Sequence, residues 1–138
     1  MSNRTFTIVK PDSVRKGNFG RIISRLEAEG FRILGLKKVA LSQRQAEGFY
    51  AVHKERPFYS DLVTYMTSGP VYVAALERDN AVPELRKLMG ATDPTKADEG
   101  TIRKEFGQSI EQNAIHGSDS DDNARQEIAF FFAESELT

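Results

Sequence analysis

The sequence predicts an α+β fold: a ferredoxin-like sandwich in which helices cover an antiparallel, four-stranded sheet. Strand-like and helix-like segments follow one another in the order β-α-β-α-α-β-α-loop-β-α, which suits that fold. The helical segments are apolar on one face only, so each needs another layer of structure to cover that face. No linker, repeat or low-complexity tract interrupts the 138 residues, which predicts a single domain over residues 1–138.

The first strand and the first helix are predicted from two different spacings of apolar residues. Over residues 5–9, apolar residues alternate with threonines, as on a strand, until residues 10–12 turn the chain. From Asn18 onward, apolar residues recur at steps of three and four, which marks one face of a helix. We expect Gly30 to end this helix, because glycine favours the position that follows a helix C-terminus.

The middle of the chain predicts a strand, two helices and a further strand. Residues 31–41 form the second strand. Ser42 begins a capping box, and the helix that it opens is expected to extend to about His53. A short helix follows near residues 60–66. The apolar run over residues 71–76 is a strand that we expect to lie centrally in the sheet.

The last third of the chain contains a long irregular segment. Asn80 is expected to cap the helix that comes before this segment. Residues 91–112 predict a long loop with one helical turn near residues 101–106, and a loop of that length in a compact domain is usually functional. A short apolar segment over residues 113–116 supplies the last strand, and Ser120 is expected to cap the final helix.

Composition excludes several classes of protein. A formal net charge of −1 gives no general attraction to nucleic acids or acidic membranes, so an anionic ligand needs a local basic cluster. The absence of cysteine excludes disulfides and thiolate metal sites. No apolar run approaches the roughly 20 residues that a membrane span needs, and the N-terminus lacks the apolar core of a signal peptide. We therefore expect a cytoplasmic protein without nucleic-acid or membrane partners.

Common phosphate and metal motifs are missing. No G-x-G pair is present, which excludes the dinucleotide fingerprint, and the P-loop pattern is also absent. Residues 119–130 begin like a calcium-binding loop, but Ala124 stands where that loop needs glycine and Phe130 where it needs glutamate. No dedicated metal site is predicted.

The two histidines differ in their setting. His53 is expected near a helix C-terminus, where a partly charged imidazole is mildly favoured, and a structural role fits it best. His116 ends a short strand and is followed by Gly117, which allows backbone or ligand to approach closely. Taken alone, this segment fits a reactive histidine and a partly buried structural histidine equally well.

The surrounding segments give His116 its interpretation. Residues 113–119, NAIHGSD, resemble the N-x-x-H-G-S-D signature of nucleoside diphosphate kinases. Six other segments match landmarks of that family in order and spacing; they are residues 10–12, 49–50, 56–58, 68–70, 89–94 and 100–103. The resemblance covers essentially the whole chain without a large insertion.

The resemblance implies that the γ-phosphate of a nucleoside triphosphate, mainly ATP, passes to a nucleoside diphosphate by a ping-pong mechanism. Its implied carrier is a phosphohistidine on His116, since a neutral imidazole nitrogen attacks without first losing a proton. The resemblance also makes Glu127 the residue that holds the ring, with Ser118 beside the same site. Each has an ordinary alternative, a solvated helix residue for Glu127 and a turn or cap for Ser118.

The resemblance further implies a nucleotide-binding site assembled from separate elements. Its phosphate contacts are the cations Lys10, Arg86 and Arg103 and the hydroxyl groups of Tyr50 and Thr92, because phosphoryl transfer needs positive charge and donors around the moving oxygens. Its base and sugar contacts are Phe58, stacked on the base, Ile110 on the opposite side, Leu62 in the same slot, and Lys10 with Asn113 on the ribose. An apolar sandwich recognises any base by its face, so little base specificity is expected.

The resemblance implies that Mg²⁺ arrives with the nucleotide, with Asp119 as the nearest candidate for an indirect contact. It also implies a homo-oligomer built from dimers, either a tetramer or a hexamer. One position departs from the family pattern: many relatives carry an acid two residues after Tyr50, and Val52 cannot orient that hydroxyl.

Two other functions stay open at this point. The chain could be an inactive family member that binds nucleotides or partners, which the retention of His116 and of every phosphate ligand argues against. It could also be a ferredoxin-like nucleic-acid binder, which would need a basic face and exposed aromatic residues on the sheet.

Overall fold

The computed structural model describes residues 3–138 and confirms the predicted fold class. Its sheet has four strands, β1 (Arg4–Val9), β2 (Arg32–Val39), β3 (Val71–Glu77) and β4 (Ile115–Gly117), in the spatial order β2-β3-β1-β4. Every neighbouring pair is antiparallel. The strand predicted to be central, β3, lies inside the sheet, whereas β2 and β4 form its two edges.

Seven α-helices connect and cover these strands within residues 3–138. They are α1 (Pro11–Arg15), α2 (Phe19–Ala28), α3 (Gln43–Phe49), α4 (Tyr59–Met66), α5 (Ala81–Met89), α6 (Ile102–Phe106) and α7 (Asp121–Phe131). Single 3₁₀ turns lie at Ala51–His53, Pro94–Lys96 and Glu134–Glu136. In this described part of the chain, no helix combines the length and apolar character that crossing a membrane requires.

Three helix ends follow the expected chemistry. Gly30, at a φ of +89°, follows α2, and the amides of Gly30 and Phe31 donate to the carbonyls of Glu27 and Leu26 at 3.0 and 3.1 Å. The Ser42 capping box at the start of α3 is present with both of its hydrogen bonds. The Ser120 side chain accepts the Asn123 amide proton at 3.1 Å, which caps α7 as predicted.

Two local predictions were wrong, and a third was incomplete. Asn80 precedes α5, but it adopts a left-handed φ of 55° and its side chain caps nothing. The helix that begins after Ser42 ends at Phe49, and the chain then tightens into a 3₁₀ turn up to His53. Residues 10–12 do more than turn the chain, because Pro11 opens the short helix α1, a position that suits the fixed φ of proline.

The core consists of two apolar layers, one on each face of the sheet. Along β3, successive side chains alternate between faces, so Val73 and Ala75 join one layer while Ala74 and Leu76 join the other. The first layer packs on α4 and α7 and the second on α2, α5 and α6. Helices therefore cover both faces, and the C-terminal end of β1 and the short strand β4 lie between α5 on one side and α7 on the other.

Candidate active site

Among residues 3–138, a carboxylate holds the His116 imidazole at one nitrogen and no group bonds to the other. His116 Nε2 lies 2.9 Å from Glu127 Oε1, and Ser118 Oγ donates to the same oxygen at 2.8 Å. Since a carboxylate oxygen accepts hydrogen bonds, the proton of the neutral imidazole belongs on Nε2. Nδ1 then keeps its lone pair, and that nitrogen is the one that can attack an electrophile.

Strand pairing and aromatic contacts fix the position of this ring. Ile8 lies opposite His116 in the pairing of β1 with β4, so both side chains lie on the α7 face of the sheet. Thr7 Oγ1 donates to the His116 carbonyl at 2.7 Å. The imidazole meets Phe6 and Phe49 at centroid distances of 6.2 and 5.7 Å, in edge-to-face geometry. Rotation of the ring is therefore restricted on the side away from the solvent.

Gly117 allows α5 to pack directly against β4. A Cβ atom at this position would lie 2.5 Å from Met89 Sδ and 3.0 Å from Leu85 Cδ2, so any larger residue would force these side chains of α5 to shift. The close packing brings Arg86, on the same helix, next to the reactive strand, where its Nη1 donates to the Gly117 carbonyl at 3.4 Å. The glycine after His116 thus places a cation beside the imidazole.

Arg103 supplies a second, more deeply held cation. It is 8% exposed, and its two Nη atoms donate to the carbonyls of Gly90 and Ile115 at 3.2 and 2.8 Å. Its Nε has no hydrogen-bond partner within residues 3–138. Burial, together with the charge of Arg86, lowers the pKa of Arg103 from 12.5 to about 10. An anion between the two guanidinium groups would relieve this repulsion.

Lys10 is the third cation, and it is linked to Asn113. Its Nζ donates to Asn113 Oδ1 at 2.9 Å and to the Glu111 carbonyl at 3.0 Å, while Asn113 Nδ2 donates to the Thr92 carbonyl at 3.0 Å. Burial, with a smaller effect of Arg103, lowers the pKa of Lys10 from 10.5 to about 8. A bound anion would favour the charged amine.

Tyr50 contributes a hydroxyl group that stays protonated. The residue is 6% exposed, and burial together with the charge of Glu127 raises the pKa of its phenol. Among the described residues the hydroxyl has no hydrogen-bond partner. Val52, at the position where many relatives carry an acid, is 81% exposed. The Tyr50 hydroxyl is therefore positioned by packing of its ring and remains available as a donor.

Two connected cavities meet at His116. The first, which we call the cationic cleft, has a volume of about 660 Å³ and is lined by Arg86, Thr92, Arg103, His116 and Glu127, among others. The second, which we call the aromatic slot, has a volume of about 410 Å³. Thr92 and His116 line both cavities, so a ligand that extends through them passes the imidazole.

The aromatic slot contains the residues predicted to contact a base and a sugar. Its walls include Phe58, Leu62 and Ile110, and its inner end includes Lys10 and Asn113. Phe58 and Ile110 are 46% and 62% exposed and line the same cavity, which suits a site that a flat ring would cover. Tyr50 also lines this slot.

The structure thus places all but one of the predicted site residues around two adjoining cavities. The exception is Ser118, which is fully buried and touches the site only through Glu127. His53, expected to be structural, lines the cationic cleft, and its ring lies 5.6 Å from that of Phe58.

Sequence reasoning missed the buried pair formed by Asp12 and Tyr65. The Tyr65 hydroxyl donates to Asp12 Oδ1, and Asp12 Oδ2 accepts the Ala114 amide proton at 3.1 Å. Asp12 was part of a recognised segment, but no role followed from it. No local signal marked it, because an acid in the first turn of a helix is ordinarily a solvated residue that complements the helix dipole.

Few of the described side chains in this site could bind a metal ion. Within residues 3–138, no three histidine, aspartate or glutamate side chains are grouped as a metal site would require. Asp119 lines the cationic cleft, where it accepts a hydrogen bond from Asn123. A single carboxylate of this kind suits a hydrated cation that a ligand brings with it.

Comparisons with known proteins agree on one family. The sequence model described as "Nucleoside diphosphate kinase" matches residues 3–137. A protein named nucleoside diphosphate kinase from a Nitratiruptor species is 60% identical over 134 residues, which are 97% of this chain and 98% of that protein. A protein of the same name from Geotalea daltonii is 55% identical over the same shares of the two chains.

Solved structures agree with the sequence comparison. The Aquifex aeolicus nucleoside diphosphate kinase superposes with a TM-score of 0.97 at 42% identity, and the match covers 100% of both chains. The Halobacterium salinarum nucleoside diphosphate kinase, solved in complex with CDP, superposes with a TM-score of 0.94 at 42% identity over 100% of this chain and 92% of that one.

Proposed function

Because this chain belongs to the nucleoside diphosphate kinase family and transfers phosphate between nucleotides, we propose that the phosphate travels on His116. The donor is a nucleoside triphosphate, mainly ATP, and the acceptor is a nucleoside diphosphate. The observation that carries the proposal is the Nε2–Glu127 hydrogen bond, which leaves Nδ1 as a nucleophile where two ligand cavities join.

Two half-reactions follow from this arrangement. In the first, the Nδ1 lone pair bonds to the γ-phosphorus while the bond from that phosphorus to the β–γ bridging oxygen breaks, and the nucleoside diphosphate leaves with the electron pair. The imidazole then carries a positive charge, which the Glu127 carboxylate stabilises through Nε2–H. In the second half-reaction, a terminal oxygen of the acceptor diphosphate attacks the phosphorus and the N–P bond breaks.

The surrounding donors account for stabilisation of the transferring group. Arg86 and Arg103 face the cationic cleft, and Lys10 reaches the junction from the aromatic slot. These cations would bind the phosphate oxygens on which charge accumulates in the transition state, with Tyr50 and Thr92 as hydroxyl donors. Relief of the repulsion that lowers the pKa of Arg103 adds to the gain from binding an anion there.

The nucleoside would lie in the aromatic slot. Phe58 and Ile110 would enclose the base, Leu62 would line the same wall, and Lys10 with Asn113 would hold the sugar hydroxyl groups. The exposed apolar walls offer surface rather than hydrogen bonds to a base, so the proposed specificity for the base is low.

The proposal includes Mg²⁺ bound together with the nucleotide phosphates, where it would offset part of their charge. Asp119 would contact its hydration shell from the side of the cationic cleft.

A cytoplasmic location is also part of the proposal, and cell fractionation against membrane and secreted markers would test it.

The proposal extends to a homo-oligomer assembled from dimers, a tetramer or a hexamer. Its physical support is the long edge strand β2, which has a described neighbouring strand on one side only and whose Leu36 is 43% exposed. The segment over residues 91–112 offers a second surface for contact between subunits.

Labelling of the protein itself tests the proposed mechanism. Incubation with γ-labelled ATP should label the chain, and an unlabelled nucleoside diphosphate should then remove the label as its triphosphate. The label should be lost in acid and retained in alkali, because protonation of the leaving nitrogen weakens a phosphoramidate. Initial-rate plots should give parallel lines. α-Labelled ATP, the control, should leave the protein unlabelled, and an acid-stable phosphoprotein would contradict the proposal.

The same experiment separates the two alternatives. An inactive, nucleotide-binding member of the family would bind ATP without becoming labelled. A nucleic-acid binder would show salt-dependent affinity for oligonucleotides, which the net charge of −1 does not favour.

A further inference from the structure

The backbone makes a strained turn directly before the strand that carries His116. Ala114 has a φ of +77°, a region that residues with a side chain rarely occupy. The Ile115 amide donates to the Asn113 carbonyl at 2.9 Å, so these three residues form a γ-turn of the rare class. Such a turn persists only when its surroundings hold it in place.

The segment that follows β1, Lys10 and the start of α1, holds both polar groups of Ala114. The Lys10 amide donates to the Ala114 carbonyl at 2.9 Å, and the Ala114 amide donates to Asp12 Oδ2 at 3.1 Å. Ala114 is completely buried, so neither group has water as an alternative partner. Among the described residues, the Asp12 carboxylate is thus the one side chain that hydrogen-bonds to this turn residue.

Tyr65 in turn fixes the Asp12 carboxylate. The Tyr65 hydroxyl donates to Asp12 Oδ1 and accepts the Asp12 amide proton at 2.9 Å. Asp12 is 1% exposed. Burial and the contact with Asp12 raise the pKa of Tyr65, so its hydroxyl stays protonated and continues to donate. Tyr65 lies on α4, so the link joins that helix to the turn.

The turn joins two residues of the proposed site. Asn113, its first residue, accepts a hydrogen bond from the Lys10 amine, and His116 directly follows its last residue, Ile115. Strand β4 is only three residues long, so the turn sets the position and direction from which His116 emerges. A shift of this turn would move the imidazole relative to the phosphate while the cavity walls on α4 and α5 stayed in place.

We propose that Asp12 is a positioning residue for phosphoryl transfer, which acts by holding the strained turn at Ala114, and that Tyr65 holds Asp12 in the required orientation. This inference rests on the proposed function of His116. It predicts that Asp12 controls the rate at which His116 is phosphorylated more than the affinity for the nucleotide.

Single-turnover labelling of Asp12→Asn tests the inference. Asparagine keeps the shape but replaces one carboxylate oxygen by an NH₂ group, which donates instead of accepting. The side chain can then no longer accept from the Tyr65 hydroxyl on one atom and from the Ala114 amide on the other. We expect the phosphorylation rate from ATP to fall about 10- to 100-fold, as for a misplaced reacting group. Nucleotide affinity, measured by calorimetry on the same folded protein, should change much less than this rate.

Glycine at position 114 provides a rescue. Ala114→Gly removes the conformational penalty of a positive φ, so the turn depends less on the carboxylate. The double variant Asp12→Asn with Ala114→Gly should therefore recover part of the lost phosphorylation rate.

Tyr65→Phe is the second variant, for use if Asp12→Asn folds poorly. It leaves the carboxylate in place, so it should lower the phosphorylation rate by less than Asp12→Asn does.

Thr67→Val is the matched control. It removes the two hydrogen bonds that Thr67 Oγ1 donates at the C-terminal end of the same helix, to the Val63 and Thr64 carbonyls at 2.9 and 3.1 Å, without touching Asp12. Its labelling rate should equal that of the wild type even if its melting temperature falls. The ¹⁵N resonances of the His116 ring should shift in Asp12→Asn and stay unchanged in Thr67→Val.

The outcomes are distinguishable. If the wild type forms the acid-labile phosphoprotein and Asp12→Asn forms it at the same rate, with only a lower melting temperature, Asp12 is merely structural and the inference fails. A lowered rate that Ala114→Gly does not improve at all would also overturn the role of the turn. If the wild type itself forms no phosphohistidine, the proposed function fails, and the role of Asp12 in it fails as well.

Discussion

At the scale of single residues, the site depends on how protons are distributed over a few groups. The Glu127 carboxylate assigns the His116 proton to Nε2, and burial makes Lys10 unusually easy to deprotonate. Both features arise from contacts between elements that are far apart in sequence. They lead to two predictions that concern individual side chains.

Truncation of His116 should abolish both labelling and turnover. His116→Ala removes the nucleophile and leaves a modest cavity at the edge of the sheet, so the circular dichroism spectrum should match that of the wild type. Glu127→Ala should give an intermediate rate, because the imidazole loses its orientation but remains present. His53→Ala, the control, should still become labelled. Substantial turnover in His116→Ala would mean that another residue carries the phosphate.

Titration of Lys10 should weaken nucleotide binding at alkaline pH. The pKa of Lys10 is about 8, so its charge is present below that pH and is lost as the pH rises through it. Calorimetry should therefore show affinity for a nucleoside diphosphate falling above about pH 8. Lys10→Arg should remove this dependence, because its guanidinium stays charged. An unchanged affinity through the alkaline range in the wild type would contradict the assignment.

The same pKa has the opposite effect on the stability of the free protein. In the unfolded chain Lys10 titrates at its ordinary value of 10.5, and in the folded chain at about 8. Between these values the unfolded state binds more protons, so the contribution of this group to the free energy of unfolding increases with pH. Affinity and stability should therefore change in opposite directions over this range.

At the scale of elements, local chemistry predicted several helix ends correctly, whereas others differ from the prediction. Ser42, Ser120 and Gly30 act as caps because their hydrogen bonds lie within a few residues. Asn80 looked equivalent in sequence, but its backbone is left-handed rather than extended as in a usual capping residue, and its side chain makes no capping hydrogen bond. The link between Asp12 and Tyr65 spans 53 positions, so no local pattern could predict it.

For the site residues, too, local sequence patterns were insufficient. No spacing rule unites Lys10, Phe58, Arg103 and His116, which come from different segments, and only the family resemblance indicated that they belong together. Alternation along β1 and β4 would place His116 on the same face as Ile8 once the pairing was known. The pairing itself depends on the whole sheet.

The N-cap of α7 should contribute to stability more than to catalysis. Ser120→Ala removes the acceptor for the Asn123 amide, and the free energy of unfolding should fall by about 1 kcal/mol. Denaturation by urea measures this change. Phosphorylation of His116 should persist, because Glu127 lies further along the helix. A loss of labelling without a loss of stability would show that the start of α7 belongs to the site.

The apolar walls of the aromatic slot that would enclose a base, Phe58, Leu62 and Ile110, come from the N-terminal end of α4 and the segment before β4. Phe58→Ala should weaken all nucleotides together by about 1–3 kcal/mol, because the stacking surface does not depend on the base. Comparison of kcat/KM for adenine, guanine, cytosine and uracil diphosphates measures this. A loss confined to one base would reveal contacts to base edges and contradict the proposed slot.

At the scale of the whole molecule, the sheet has two edges of different length. Edge strand β4 has three residues, and edge strand β2 has eight. The prediction of one domain over residues 1–138 stays a prediction, as does the oligomer. The oligomer has a structural counterpart in the long edge of β2, where Leu36 is exposed and no further strand of the described residues is paired.

A charge at this edge should reduce assembly. In the proposed dimer, Leu36 would be covered by a second copy, so Leu36→Glu would bury an unpaired carboxylate, which is strongly unfavourable. Light scattering at micromolar concentration should show the wild type as a tetramer or hexamer and Leu36→Glu as a smaller species. Gln43→Glu, which adds the same charge on the exposed surface of α3, should keep the wild-type mass. A fully active wild-type monomer would exclude the oligomer. An unchanged mass for Leu36→Glu would show that the interface between subunits does not include the edge of β2, and residues 91–112 would then be the surface to test.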